Sequence, residues 1–106
     1  MVLEDDIVTY ARKLDGVSER DEKGLKLFLC DGKIFAAVEL GTSPLRVQTR
    51  CDRKLSKTLQ DKYESVMESR LLGRNGIEII CAGQLSNEEI IDLLRHGYEQ
   101  SREIDS

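Results

Sequence analysis

Residues 25 to 40, Leu-Lys-Leu-Phe-Leu-Cys-Asp-Gly-Lys-Ile-Phe-Ala-Ala-Val-Glu-Leu, set two apolar runs on either side of Asp31-Gly32. A two-residue connection between strands of the type I′ form needs positive φ at both positions, which glycine adopts freely and aspartate tolerates, so this pair supplies a tight hairpin turn. That commits the middle of the chain to antiparallel sheet. The second run, from Ile34 to Leu40, is apolar almost without interruption, the pattern of a strand covered on both faces and lying centrally in its sheet.

The flanking segments extend this hairpin. Leu3, Ile7, Tyr10, Ala11 and Leu14 recur at helical spacing and predict a first helix over 3–14, ended by Gly16. Beyond Pro44, Leu45, Val47 and Thr49 alternate with Arg46, Gln48 and Arg50, a third strand with one basic face. Asp52 offers an N-cap to a second helix running to about Lys62, with Leu55, Leu59 and Tyr63 on its buried side. Runs 66–72 and 77–81 flank Gly73-Arg74-Asn75-Gly76, which predicts a second hairpin with Arg74 at its tip. Ser86-Asn-Glu-Glu89 is a capping box for a last helix carrying Ile90, Ile91, Leu93, Leu94 and Tyr98, and the polar tail is expected to fray from Ser101. The expected fold is α+β: a twisted antiparallel sheet with helices packed on one face, ordered helix, strand meander, helix, hairpin, helix. A chain of 106 residues makes this one domain, 1–106.

Composition excludes several function classes. No apolar run approaches the roughly 20 residues of a membrane span, and the N-terminus is acidic where a signal peptide is basic, so the expected compartment is the cytoplasm with no membrane partner. Aromatics are 5% and tryptophan is absent, which argues against a platform for stacking single-stranded bases. Cys30, Cys51 and Cys81 are odd in number and form no Cys-x-x-Cys pair, which fits reduced thiols. With His96 they match the ligand tally of some zinc sites, yet lack closely spaced ligand pairs and read as packing residues. His96 has no nucleophile near it in sequence, and Gly73, Gly76 and Gly83 do not form a phosphate loop. Neither catalysis nor a cofactor is expected.

The informative feature is electrical. The net charge is -4, but residues 46–62 hold six basic and two acidic groups, so this stretch is +4 and the remainder -8. The segment from Ser86 onward holds two basic and six acidic groups. Strand alternation puts Arg46 and Arg50 on one face, while Arg53 and Lys54 fall in the first turn of the next helix and Lys57 on its exposed side. Cations at a helix start oppose the helix dipole, so either carboxylates such as Asp52 offset them or an external phosphate does. These five residues, with Arg74 auxiliary, are the candidate contacts to nucleic acid. Engaging four or five phosphates would give a log–log salt slope near about -4. Two partner classes stay open: duplex DNA, or an acidic protein docked on the same patch, with an exposed sheet face or edge supplying area. The acidic groups Glu4, Asp5, Asp6, Asp15, Glu19, Asp21 and Glu22 lack a ligand-spaced loop and suit a dipole-favourable helix start.

Three stretches carry a family resemblance: DGKIFAAVEL, PLRVQTRCDRKLSKTLQDKYESV and GQLSNEEIIDLLRHGYE, of which RCD and LSNEEIIDLLRHGYE are the most specific. On these, the run from Asp31 to Tyr98 resembles the YjbR/MmcQ family, small bacterial proteins with a CyaY-like fold described as a double-wing DNA-binding motif. The resemblance implies a twisted antiparallel sheet with helices on one side, two hairpins as wings, and nucleic-acid binding. The family's second hairpin commonly carries Lys-Arg-His-Trp; here it reads Gly73, Arg74, Asn75, Gly76, so only Arg74 is carried over. The frataxin-like fold also implies a third reading, in which the acidic first helix holds iron or another cation.

Overall fold

Asp31 and Gly32 stand at φ 52° and 80° and close the expected hairpin. In the computed structural model, which describes residues 4–103, the chain runs α1 (Glu4–Arg12), β1 (Val17–Glu22), β2 (Leu25–Cys30), β3 (Lys33–Glu39), β4 (Leu45–Arg50), α2 (Arg53–Lys62), β5 (Val66–Ser69), β6 (Gly73–Cys81) and α3 (Asn87–Glu103). Leu3, counted with the first helix, lies outside the described residues. The strands form one six-stranded sheet in the order β1-β2-β3-β4-β6-β5, with every pairing antiparallel. The three helices cover one face, so the architecture is the expected α+β fold.

β1 is an addition to the sequence reading. Its residues Val-Ser-Glu-Arg-Asp-Glu are exposed after Val17, because an edge strand with a solvated outer side has no need of apolar alternation. It joins β2 through Lys23-Gly24, both at positive φ, another two-residue turn. Paired charges tie it down: Lys26 Nζ lies 2.8 Å from Asp21 Oδ1 and 3.7 Å from Glu19 Oε2.

The second hairpin turns earlier than the sequence suggests. Its tip is Arg70–Leu72, while residues 73–76, Arg74 included, belong to β6. Buried polar groups capture the turn: Gln48 Oε1 accepts from Ser69 Oγ at 2.6 Å and from the Leu71 N–H at 2.9 Å, and Ser69 Oγ accepts from the Leu72 N–H at 2.8 Å. Gly76 serves close approach, since a Cβ there would stand 2.8 Å from both Leu72 Cβ and the Thr49 carbonyl oxygen. The expected fraying at Ser101 is also corrected. Ser101 is 2% exposed, its hydroxyl donates to the Tyr98 carbonyl at 2.7 Å, and α3 continues past it.

The core lies between sheet and helices. A β-bulge opposite Phe28 and Leu29 leaves Phe35 outside the pairing register, so Phe35 and Ala36 both enter the helix-side core. Phe35 meets the Tyr98 ring edge-on at 5.5 Å, and the Tyr98 hydroxyl donates to the Asp15 carbonyl at 2.6 Å, fixing the α1–β1 connection against α3. Burial of a ring such as Phe35 is worth about 1.5–3 kcal/mol. A smaller apolar cluster of Leu27, Leu29 and Ala37, flanked by Leu25 and Ile34, occupies the opposite face. The helix-free face is therefore partly filled by the protein's own side chains.

Candidate nucleic-acid interface

β4 delivers Arg46, Gln48 and Arg50 to the helix-free face, because Leu45 and Val47 alternate with them into the core. There Arg46 meets internal partners. Its Nη1 lies 3.1 Å from Oε2 of Glu78, a residue with no solvent exposure, and its Nε lies 4.0 Å from Glu39. Arg70, from the hairpin tip, completes the group at 2.9 Å from Glu78 Oε1 and 3.5 Å from Glu39. Hydrogen bonding to Glu78, and then its charge, raises the Arg70 pKa above its usual value. Arg50 is also engaged: its Nε and Nη2 donate to the Ile34 carbonyl at 3.3 and 3.0 Å.

α2 carries the remaining cations elsewhere. Arg53, Lys57 and Arg74 line a groove of about 310 Å³ between α2 and the β5–β6 hairpin, together with Ser56 and Gln60. Asp61 and Glu68 share the lining and temper its charge. Lys54 is exposed one residue along the helix from Arg53. None of Arg53, Lys54, Lys57 and Arg74 makes an ion pair with another described residue. The single junction patch expected from sequence thus divides in two: Arg46 and Arg50 face away from the helices, while Arg53, Lys57 and Arg74 converge beside α2. The start of α2 has an internal cap, for Asp52 Oδ2 accepts from the Leu55 N–H at 3.1 Å.

His96 buttresses the same helix start, its Nε2 accepting from the Asp52 N–H at 3.3 Å. Cys30, Cys51 and Cys81 are free and buried. Burial, with the Asp52 charge second, pushes the Cys51 thiol up to about 11, and burial alone does the same for Cys81. Among the described residues no group of three or more His, Cys, Asp or Glu side chains is placed to hold a metal ion, and no helix is long and apolar enough to cross a membrane.

Sequence reasoning missed Gln48, Glu78 and Arg70. A glutamate in the apolar run Ile77–Cys81 was the available signal, since a buried carboxylate requires cationic partners. It also missed Asp61 and Glu68, whose place in the groove depends on how α2 lies against β5.

No family model matches the chain, and no curated protein matches it in sequence. Solved structures do. The fold is similar to that of the Deinococcus radiodurans protein DR2400, described with the family-model domain DUF419, at a TM-score of 0.82 and 19% identity over 89% of this chain and 74% of that one. It is also similar to a Pseudomonas syringae structural-genomics protein at a TM-score of 0.78 and 14% identity, over 95% of this chain and all of the other. These likenesses establish the fold.

Proposed function

We propose that the chain is a non-enzymatic nucleic-acid-binding module of YjbR/MmcQ type, acting in the cytoplasm, which holds a duplex backbone along the α2 groove through Arg53, Lys57 and Arg74, with Lys54 alongside. The observation that carries this reading is the absence of ion-pair partners for these four cations among the described residues, beside the engaged Arg46 and Arg50. Unneutralised cations converging from a helix and a hairpin suit a phosphate backbone, which gives affinity without sequence readout. The RCD stretch, one of the pieces that carry the resemblance, forms the β4–α2 junction that sets Arg53 at the groove.

About four neutralised phosphates predict a log–log salt slope of about -3 to -4 and a dissociation constant of about 10⁻⁴–10⁻⁶ M. Fluorescence anisotropy of a labelled duplex at two salt concentrations tests this. Binding should vanish in Arg53→Glu/Lys57→Glu/Arg74→Glu with circular dichroism unchanged, and a wild-type protein that binds no duplex at low salt refutes the reading. A second reading is favoured by Asp61 and Glu68 in the same groove: a protein partner of mixed, mainly acidic charge would use all five ionic groups.

A further inference from the structure

The other flank of α2 presents a different surface. Between α2 and α3 runs a groove of about 310 Å³ floored by Leu55, Leu59, Leu85 and Leu93. Three of these, Leu55, Leu59 and Leu93, are only partly covered by the core they pack against. The ionisable groups lining it are Glu89, Asp92 and His96, with the Lys62 charge reaching Glu89 from the end of α2. Asp92 makes no ion pair with another described residue. Glu89 keeps its charge to low pH, since the Ser86 backbone and side chain hydrogen-bond its carboxylate. His96 uses Nε2 as an acceptor for the Asp52 N–H.

We propose that this groove docks a basic amphipathic helix of a partner protein, its apolar side chains seated on the four leucines and its Lys or Arg side chains against Glu89 and Asp92. Two helices with an apolar trough between them accept a third through anchors at helical spacing, and an acidic rim selects the sign of the incoming flanks. Charge complementarity names the occupant: an acidic helix would meet like charge at the rim, and a purely polar one would leave the leucines wet. The site is separate from the α2–hairpin groove and stands without the nucleic-acid reading, although together they would let α2 join two partners on opposite flanks.

Three short synthetic helical peptides test this against the intact chain by NMR shift mapping: a Leu/Lys peptide, a Ser/Lys peptide of the same charge, and a Leu/Glu peptide. The Leu/Lys peptide should bind with shifts centred on Leu59, Leu85 and Leu93, at least about tenfold tighter than either of the others. Asp92→Lys, an exposed change, should weaken it by about tenfold, and Leu93→Ser should do the same. Equal binding of the Ser/Lys peptide, indifference to Asp92→Lys, or sedimentation showing a second copy of the chain in the groove would each overturn the proposal.

Discussion

Gly97 of α3 lies against the backbone of Arg50 in β4 so closely that a Cβ at position 97 would stand 2.6 Å from the Arg50 carbonyl oxygen and 3.2 Å from its nitrogen. The Thr49 hydroxyl closes the same contact and donates to the Phe35 carbonyl at 3.2 Å. In an exposed helix, replacing glycine by alanine stabilises by about 1 kcal/mol. Here two of the three nearest neighbours are Arg50 backbone atoms, which cannot rotate away. Gly97→Ala should therefore lose about 1–3 kcal/mol, read as a lower urea midpoint at unchanged m-value.

The Glu39–Arg46–Glu78–Arg70 group is structural, and a double-variant cycle can show it. Arg46→Met leaves the buried Glu78 carboxylate short of a partner and should cost about 1–3 kcal/mol. Arg46→Met/Glu78→Met removes the charge that was stranded, so it should recover part of that loss. Additive losses in chemical denaturation would contradict this.

Charges along the α2 groove should separate by salt dependence. Neutralising Arg53, Lys57 or Arg74 singly to Gln should each lower the magnitude of the salt slope by about 1. Asp61→Asn/Glu68→Gln should tighten duplex binding by removing repulsion from the same lining. Arg50→Gln should leave the slope unchanged, because Arg50 lies outside the groove lining, held on the helix-free face by its Nε and Nη2 bonds to the Ile34 carbonyl.

Acid stability should carry a mark of the α3 capping box. The Glu89 pKa is lowered from its usual 4.5, chiefly by the backbone hydrogen bond from Ser86 and then by the Ser86 hydroxyl. Its folded value lies below its unfolded value, so its contribution is complete above about pH 4.5 and is lost as pH falls through the depressed folded value. Glu89→Gln should keep the cap at neutral pH yet flatten the stability profile below pH 4.5. Thermal melts of both proteins between pH 3 and pH 6, roughly, would show an unchanged slope if the idea is wrong.

The thiols should be inert in the folded state. With Cys51 and Cys81 pushed up to about 11, the reactive thiolate is scarce at pH 8, roughly, and burial blocks access as well. A colourimetric disulfide reagent should react slowly with native protein and rapidly once urea unfolds it. Rapid native labelling would count against this packing.

How much was legible depended on whether the signal was local. Asp31-Gly32 showed its turn, Asp52 its cap and Ser86-Glu89 its box, because each answers a backbone need within a few residues. β1 was not legible by apolar period, since its outer edge faces water; its trace was Lys23-Gly24. Asn75-Gly76 misled for the opposite reason: the dipeptide has a turn's preference, but Gln48 and Ser69, distant in sequence, hold the turn at 70–72.

The sequence by itself determined the α+β class, the central strands and the existence of a basic segment, since periodicity and turn chemistry are properties of neighbouring residues. Only the tertiary structure decided which cations are available. Arg46 and Arg53 look equivalent along the chain, but the pairing of β4 with β6 brings Glu78 to Arg46, while α2 carries Arg53 to a groove where no ion pair holds it among the described residues. A charge is neutralised by what folding places within a few ångströms of it, and that distance is not written in the order of the residues.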